Sequence, residues 1–409
     1  MGVWSSLRSV ARFSVPTVSS RRRAMERAAN IADLRAIARR RLPRGIFDYI
    51  DGGAENESTM RRNSEAFSRV TFVPRVLRDV SRIDTSTTVL GESLPVPLLF
   101  APTGFTRIAH WEGEVAVARV AARHGLPYCL STLSTRTIED VATATNGPKW
   151  FQVYVWRDRA MVKDMLARAA DAGYSTIMIT VDTAVLGRRE RDVRRGFTLP
   201  PTLGPGTLVD GISRPRWTWD FVRHDPITFA TVAASSGRGG GTAVTLSDFI
   251  AEQFDPSLSW DDLAWFRDNW NGRIVLKGIQ SVADAELAAS NGVDGVALSN
   301  HGGRQLDGAP SPFELVAPVR DAVGAALQII CDGGIRRGGD IVKAIALGAN
   351  ACTMGRSYLY GLGAAGEEGV DRALTMLWSE MTRTMQLCGA STVADIGRDL
   401  VSVDGGQAP

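Results

Sequence analysis

The chain has 409 residues, a length that fits either one α/β barrel with insertions or two ordinary domains. Its 47 Lys and Arg residues against 44 Asp and Glu residues leave a formal net charge of +3, which argues against a general nucleic-acid-binding protein. No segment reaches about 18 uninterrupted apolar residues, so a membrane-spanning helix is not expected.

Residues 1–30 are predicted to form an N-terminal extension that is either disordered or a targeting segment. No acidic residue precedes Glu26, as in a mitochondrial transit peptide, which would apply if the source were eukaryotic. A disordered bacterial extension is preferred, because nothing in the sequence identifies the host. The cysteines show no C-x-x-C spacing, so we expect buried, reduced thiols and no metal site at Cys129, Cys331, Cys352 and Cys388.

Two helices are predicted next, one over 31–40 and a second that ends in the glycines of 47–54. From Pro97 onward, short apolar runs alternate with helical patterns, which is typical of repeated βα units and a parallel sheet. The predicted strands are 98–101, 128–131, 150–154, 176–182, 274–277, 295–299, 328–332 and 351–355. The clearest helical stretches between them are 112–124, 159–172, 282–291 and 340–347.

Eight such units predict a (β/α)8 TIM barrel over 31–390, followed by a C-terminal tail over 391–409. In a barrel the carboxyl ends of all strands meet at one mouth, so the polar residues that end the runs are expected to form one site. Charged, hydroxyl and aromatic groups at these ends favour a catalytic mouth over a structural rim. They are Pro102, Thr103, Gly104, Ser131, Thr132, Gln152, Tyr154, Thr180, Asp182, Lys277, Ser299, His301, Asp332, Gly333, Gly334, Gly355 and Arg356.

One βα connection is far longer than the usual two to about six residues. No convincing helix follows Asp182 until about Trp260, so residues 187–259 are predicted to form an insertion or lid. Its segment 214–223 mixes aromatic and basic residues as a membrane-interface helix does, with an ordinary lid or subunit contact as an equal alternative. Residues 237–241 are predicted to be disordered.

The loops after the seventh and eighth strands suit a phosphate dianion. The first, 332–338, combines glycines with Arg336 and leads into a helix, and Gly355 with Arg356 follows the last strand. Lys277 ends an apolar strand, where its burial needs a facing negative charge. Reduced flavin is one such partner, and an ion pair with Asp332 is the structural alternative.

The run 299–308, Ser-Asn-His-Gly-Gly-Arg-Gln-Leu-Asp-Gly, places His301 and Arg304 directly after an apolar strand. With Val-Leu-Lys-Gly at 275–278, Asp-Gly-Gly-Ile-Arg-Arg-Gly at 332–338 and Gly-Arg at 355–356, it closely resembles the FMN-dependent 2-hydroxy acid oxidases and dehydrogenases. That family includes glycolate oxidase, flavocytochrome b2, mandelate dehydrogenase and bacterial L-lactate dehydrogenase. The resemblance runs from about Ile31 to the C-terminal region.

The resemblance implies a role for each matching residue. His301 would take the hydroxyl proton or the α-proton of the substrate, and Asp182 would orient it and stabilise its charged form. Arg304 and Arg189 would bind the substrate carboxylate. The sequence alone does not distinguish Arg189 from its neighbours Arg188 and Arg191, but the family pattern selects Arg189. Tyr49 would assist at the carboxylate, and Tyr154 would contact the hydroxyl. FMN would be held by Pro102, Thr103, Gly104, Ser131, Gln152, Thr180, Lys277, Ser299, Asp332, Gly333, Gly334, Arg336, Gly355 and Arg356.

Two departures from the glycolate oxidase pattern bear on the substrate and the electron acceptor. Leu133 stands where that enzyme has a tryptophan, which would reshape the substrate pocket, and Gly104 stands where oxidases often have alanine. The segments 103–107 and 254–258 look most like actinobacterial lactate dehydrogenases. We therefore expect oxidation of L-lactate to pyruvate, with electrons passed to a quinone or another carrier.

The alternatives are an oxygen-using oxidase of the glycolate or long-chain type and a mandelate dehydrogenase. From a different class, an FMN-dependent isomerase or a non-catalytic barrel gives no reason for the catalytic residues to occur together. The resemblance also implies a homo-tetramer. We expect a cytoplasmic protein, peripheral at the inner face of the membrane if the insertion touches lipid, or mitochondrial in a eukaryote.

Overall fold

Eight parallel strands close into a barrel in the computed structural model, which describes residues 20–194, 204–235, 250 and 252–403. Consecutive strands are neighbours, and the last pairs with the first, so the predicted (β/α)8 barrel is confirmed. The strands are β1 (Leu98–Phe100), β2 (Tyr128–Ser131), β3 (Lys149–Tyr154), β4 (Thr176–Thr180), β5 (Arg273–Ile279), β6 (Gly295–Ser299), β7 (Gln328–Asp332) and β8 (Ala351–Met354).

The apolar runs predicted β2, β6 and β7 with the observed bounds. The largest differences affect the two strands beside the insertion. β4 ends at Thr180, two residues before the predicted end, and β5 extends to Ile279 through a register shift between Lys277 and Ile279. The apolar run of β5 ends at Lys277 and Gly278, so it did not indicate that the strand continues past this irregular stretch.

Helices surround the barrel and bury one face each against the strands. The helices at 112–124, 159–172, 282–291 and 340–347 are confirmed with shifts of one or two residues at their ends. The helices that follow strands are Gly113–Arg123, Ile138–Ala144, Arg159–Asp171, Asp262–Asn269, Val282–Ser290, Pro312–Val323, Gly338–Ala346, Arg356–Ala365 and Glu367–Cys388.

A short hairpin, Thr87–Val89 with Glu92–Leu94, lies at the amino ends of the strands. Glu92 accepts a hydrogen bond from the Trp150 indole at 3.2 Å, at the start of β3, and Leu90 lies against Gly295 at the start of β6. This end of the barrel is thereby covered, which leaves the opposite end for the site.

The folded chain extends beyond the predicted bounds of 31 and 390. A helix, Ser20–Arg27, precedes residue 31, and buried Met25 and Ala28 belong to the core. At the other end Val401–Val403 pairs antiparallel with Val70–Phe72, so the predicted tail contains a strand. Pairing partners more than 300 residues apart leave no local sequence pattern. Residues 1–19 and 404–409 lie outside the described part of the chain.

Three further helices lie between Ser20–Arg27 and the barrel: Ile31–Arg41, Arg44–Asp51 and Ser58–Glu65. The first two match the predicted pair. Short 3-10 turns occur at Ala66–Arg69, Thr106–Ile108, Gly324–Ala326, Val393–Asp395 and Arg398–Leu400.

The insertion contains short helices, of which Pro215–Arg223 falls on the segment 214–223 that resembles a membrane-interface helix, whereas the others were not predicted. The expectation that no helix begins before about Trp260 is wrong, because these helices are short and carry no long apolar repeat. They are Glu190–Arg194, Pro205–Ile212, Pro215–Arg223 and Ala230–Ser235. The segment predicted at 237–241 lies outside the described residues. Within the described part of the chain, no helix is both long and apolar enough to cross a bilayer.

Candidate active site

A cavity of about 580 Å³ opens at the carboxyl ends of the strands, between the barrel and the insertion. Its volume lies within the range of ligand pockets, about 300 to 1,000 Å³. Most of the predicted site residues line it: Tyr49, Pro102, Thr103, Gly104, Ser131, Leu133, Tyr154, Arg189, Lys277, His301, Arg304, Asp332, Gly333, Gly334, Arg336, Gly355 and Arg356.

The other four predicted residues lie behind this lining and are hydrogen-bonded to it directly or through one another. Gln152 accepts from Ser131 at 2.9 Å and donates to Thr180 at 2.8 Å, which joins β2, β3 and β4. Ser299 accepts from the Lys277 ammonium group at 3.1 Å, and Asp182 contacts His301. These residues fix the orientation of the groups that face the cavity.

The floor of the cavity is a buried charge network. The Lys277 ammonium group lies 3.3 Å from Asp332, so the ion pair considered as the structural alternative is present, and Lys277 also lines the cavity. Asp332 accepts further hydrogen bonds from Ser299, at 2.7 Å, and from Thr353. Burial alone would lower the pKa of Lys277, but the charges of Asp332 and Asp182 outweigh it and raise that pKa. Lys277 therefore remains a cation.

His301, which lines the cavity, is hydrogen-bonded to Asp182. The His301 Nδ1 atom is 3.2 Å from a carboxylate oxygen of Asp182, whose side chain is only 2% exposed. An ionised carboxylate only accepts hydrogen bonds, so neutral His301 carries its proton on Nδ1 and leaves Nε2 as the acceptor. Burial, opposed by the Asp182 charge, lowers the pKa of His301, so the ring is neutral at pH 7.

The carboxylate of Asp182 stays charged beside this ring. Burial alone would raise the pKa of Asp182, but the charges of His301 and Lys277 and the hydrogen bond from His301 hold it below its ordinary value. Gly278, at φ +110°, permits the close approach of Asp182, because a Cβ there would lie 2.7 Å from the Asp182 Cβ. Gly278 lies within the register shift of β5, so this irregular stretch leaves room for the acid.

Two guanidinium groups face the cavity beside His301. The Arg304 group donates to the carbonyls of Tyr49, at 2.7 Å, and Gly52, at 3.0 Å. It lies 5.0 Å from the centre of the Tyr49 ring, and the Arg189 group lies 5.5 Å from the same ring. Burial and the Arg189 charge lower the pKa of Arg304 to about 9, so it is still a cation at pH 7. This arrangement attracts an anion.

A third guanidinium, that of Arg356, lies close to the Arg304 group, because both donate to the Gly52 carbonyl. Arg356 donates to the carbonyls of Ile50 (3.1 Å), Gly302 (2.8 Å) and Gly52 (2.7 Å). Arg356 also begins a helix whose N-cap is Gly355, with no side-chain cap, so its first N–H groups face the cavity mouth. Arg336 and the backbone of Gly334 also line the cavity. Such a helix terminus with two arginines suits a phosphate dianion.

Comparisons with known proteins agree with this geometry. Residues 38–403 match the family model described as FMN-dependent dehydrogenase. The chain belongs to the FMN-dependent dehydrogenase family. A protein of Mycobacterium tuberculosis is 45% identical over 391 residues, which cover 95% of this chain and 93% of that protein. The L-lactate dehydrogenase of Caulobacter vibrioides is 44% identical over 378 residues, covering 91% and 97% of the two chains.

A solved relative shares the fold. The crystal structure of the monotopic membrane protein (S)-mandelate dehydrogenase superposes with a TM-score of 0.89 at 40% identity, covering 92% of this chain and all of that one. As a member of the FMN-dependent dehydrogenase family, the chain uses FMN as its cofactor and acts as an oxidoreductase.

The cavity fits FMN in this member of the FMN-dependent dehydrogenase family. The uncapped helix at Gly355, with Arg336 and Arg356, matches a phosphate group, and buried Lys277 matches a flavin edge that gains negative charge. Between these ends lie the small or hydroxyl-bearing residues Thr103, Gly104 and Ser131. The hydrogen-bond donors of the cavity therefore suit FMN from its phosphate to its flavin ring.

Several residues of the site escaped the sequence analysis. Thr353, a polar residue inside the apolar run of β8, bonds to Asp332, and that polar interruption was the available signal. Asp192, three residues after Arg189, accepts from its guanidinium at 2.7 Å. The insertion supplies apolar walls that no periodic pattern marks. These are Val193, Phe229, Ile250 and Phe254, and Leu186 lies just before the insertion.

Proposed function

We propose that this FMN-dependent dehydrogenase oxidises L-2-hydroxy acids to 2-oxo acids, with L-lactate to pyruvate as its main reaction. The observation that carries this proposal is a neutral histidine base, paired with Asp182, in one cavity with the Arg304 and Arg189 guanidinium groups. A base beside an anion clamp suits a substrate with a hydroxyl next to a carboxylate. FMN, when bound, supplies the acceptor for the two electrons that leave the α-carbon.

In this proposal His301 is the base. Its Nε2 atom takes the hydroxyl proton as the α-hydrogen leaves with its electron pair, or takes the α-proton in the carbanion version of the reaction. Asp182 keeps the ring oriented through the 3.2 Å contact and stabilises the imidazolium that results.

Arg304 and Arg189 are proposed to hold the substrate carboxylate, with Tyr49 between them. Tyr154 is proposed to contact the hydroxyl. Burial, with the nearby charge of Asp182, raises the pKa of Tyr154, so its phenol is protonated at neutral pH. A protonated phenol donates a hydrogen bond and positions the hydroxyl oxygen.

The remaining predicted residues are proposed to bind FMN. Lys277, with Ser299 and Asp332 behind it, would face the flavin ring edge, and Ser131, Gln152 and Thr180 would form the hydrogen-bonded support on the other side. The phosphate would lie against Gly333, Gly334, Arg336, Gly355 and Arg356.

The choice of lactate is supported by the relatives named L-lactate dehydrogenase at 42–45% identity. The solved relatives that act on mandelate make an aromatic acid the main competitor. Leu133 and Phe254 form part of the apolar wall next to Tyr154, so both a methyl and a larger side chain meet apolar surface.

An anaerobic substrate panel tests the proposal. The yellow enzyme is mixed with L-lactate, glycolate, (S)-mandelate and a long-chain L-2-hydroxy acid, and flavin absorbance is followed. We expect L-lactate to bleach the flavin fastest. An unchanged spectrum across the panel would contradict the proposed oxidation and favour an isomerase or a non-catalytic barrel.

We also propose that the electrons pass to a quinone or another carrier at a membrane surface. The Pro215–Arg223 helix docks on the barrel through Trp217, whose indole donates to the Ile108 carbonyl at 2.9 Å. Trp219, Phe221 and Val222 of the same helix are exposed, beside the basic Arg223. An exposed apolar face with a basic residue suits a lipid interface, and the mandelate-oxidising relative is a monotopic membrane protein.

Vesicle sedimentation with anionic lipid tests this placement at the inner face of the membrane. Trp219→Ser with Val222→Ser should reduce the bound fraction several-fold. Leu387→Ser is a matched control, because Leu387 is 71% exposed and Val222 is 72% exposed. Equal binding by all three proteins would contradict the membrane contact.

Two further measurements complete the proposal. The reduced enzyme should be reoxidised faster by a soluble quinone than by air, whereas the reverse order would identify an oxidase. Light scattering tests the homo-tetramer that the resemblance implies.

A further inference from the structure

The segment that carries Arg189 lacks an apolar anchor. The helix that follows it, Glu190–Arg194, has five residues, of which only Asp192 is buried, and Val193 is exposed. A helix this short is not stable by itself. Polar contacts must therefore hold Arg189 over the cavity.

The Arg188 carbonyl accepts from the Glu55 backbone at 2.9 Å, and Arg191 provides the charged contacts. Its guanidinium donates to Asp51 at 2.9 Å and to Glu57 at 2.5 Å, and both acids lie outside the insertion. By contrast, the hydrogen bond from Arg189 to Asp192 stays within the segment and does not connect it to the barrel.

Asp51 is itself rigidly held. It is 3% exposed, accepts two hydrogen bonds from Arg35, at 2.6 and 2.7 Å, and accepts one from the Tyr360 hydroxyl at 2.8 Å. Burial alone would raise the pKa of Asp51, but the hydrogen bonds from Arg35 and Tyr360 outweigh it and lower the pKa to about 2. The carboxylate is therefore charged at every pH of interest.

Asp51 also lies two residues from a cavity residue. The Arg44–Asp51 helix carries Tyr49, whose ring contacts the Arg189 and Arg304 guanidinium groups. One short helix thus positions Tyr49 directly and, through the Asp51–Arg191 ion pair, fixes the segment from which Arg189 extends.

We propose that the Asp51–Arg191 ion pair is a positioning pair that sets the affinity for the substrate carboxylate by fixing Arg189. Neither residue lines the cavity, so neither is a catalytic residue. The inference rests on the proposed function, in which Arg189 binds that carboxylate. A displaced Arg189 weakens carboxylate binding but leaves His301 and its contact with Asp182 in place.

The test compares Arg191→Gln with Arg194→Gln in the FMN-loaded enzyme. Arg194 belongs to the same helix and pairs with Glu190, four residues earlier. Arg194→Gln therefore removes one cation from the same helix, as Arg191→Gln does. Arg191→Gln should raise KM for L-lactate about tenfold with kcat within about twofold, because a small displacement of a binding group is costly. Arg194→Gln should change neither. An unchanged KM in Arg191→Gln would overturn the proposal.

Two further readouts separate positioning from a general loss of structure. Asp51→Asn with Arg191→Gln should raise KM no more than the larger single change, because residues that act as one unit are not additive. Methyl L-lactate lacks the carboxylate, so its turnover should not respond to Arg191→Gln. If Arg191→Gln lowered the turnover of the ester as much as that of L-lactate, the positioning role would be contradicted.

Arg191→Lys keeps the positive charge but loses the bidentate donor geometry of the guanidinium. This variant is the alternative test if Arg191→Gln does not fold. It should raise KM about threefold, and an unchanged KM would again overturn the proposal. If the wild-type enzyme is not reduced by any 2-hydroxy acid, the proposed function fails. If it is reduced and these variants match it, only the positioning role fails.

Discussion

Arg304 and Arg189 face the same cavity, but the first is held by main-chain carbonyls and the second by a network of ion pairs. Arg304 follows β6 and donates to the carbonyls of Tyr49 and Gly52. Arg189 extends from the insertion, where Asp192 and the Asp51–Arg191 pair orient its segment. The barrel therefore supplies fixed chemistry, and the insertion supplies contacts that can change without disturbing the strands.

The largest effect is expected at the barrel side of this comparison. His301→Gln removes the proposed base, so flavin reduction by L-lactate should slow by at least about 10³-fold. FMN content should stay equal to that of the wild type, measured by absorbance after gel filtration. Retained turnover would refute the role of His301 as base.

The two arginines give the next largest effect and test the comparison directly. Arg304→Ala should lower kcat/KM by about 10³-fold, and Arg189→Ala by about 10²-fold, as expected for lost charged hydrogen bonds to the carboxylate. The Arg304 change is larger because it also removes a donor to the carbonyls of Tyr49 and Gly52.

Arg188→Ala is the control for this pair of variants. Arg188 lines the cavity beside Arg189, yet the family pattern assigns it no role in binding. Its kcat/KM should stay within about threefold of the wild type. If Arg188→Ala lowered kcat/KM as much as Arg189→Ala, the proposal that Arg189 binds the carboxylate would be contradicted.

A pH profile gives a smaller and more specific effect. The base must be neutral, so kcat/KM should fall as pH drops through the pKa of His301, which burial lowers below 6.5. The Asp182 charge raises that pKa. Asp182→Asn should therefore move the acid limb to lower pH and reduce the plateau about 10²-fold. A limb that stays in place would show that another group titrates.

The smallest effect is expected at the cavity wall. Leu133→Ala opens space in the apolar wall near Gly104 and should shift the ratio of kcat/KM for (S)-mandelate over L-lactate about tenfold toward mandelate. Val193→Ala, a change in the insertion wall, should shift it less if the barrel side sets side-chain preference. An equal or larger shift from Val193→Ala would move that selectivity to the insertion.

The sequence predicted the barrel and most of the residues that line its mouth. Parallel strands are buried on both faces, so their apolar runs stand out, and their polar ends meet by the geometry of closure. The insertion was less predictable because its helices are short. Asp192, Phe229 and Ile250 join the site through tertiary contacts that have no local pattern.

Hydrogen bonds between residues far apart in the sequence also could not be predicted around the loop that carries His301. Asn63 and Asn300 exchange two hydrogen bonds of 2.7 Å, and Asp307 accepts from the backbone of Thr59, so the Ser58–Glu65 helix braces the loop that carries His301. His301 itself has φ +58°, a strained conformation for a residue other than glycine. The motif identified this loop, but only the fold reveals what supports it.

Arg356 connects the two sites that we propose for the cofactor and for the substrate. Its guanidinium reaches the carbonyls of Ile50, Gly52 and Gly302, next to Tyr49 and His301, while its backbone begins the helix at the phosphate end. Because both sites order this one side chain, we expect each ligand to raise the affinity for the other, by the same factor in both directions. FMN should accordingly dissociate more slowly from dilute enzyme when pyruvate is present, and retention in the cell would then follow the supply of the acid.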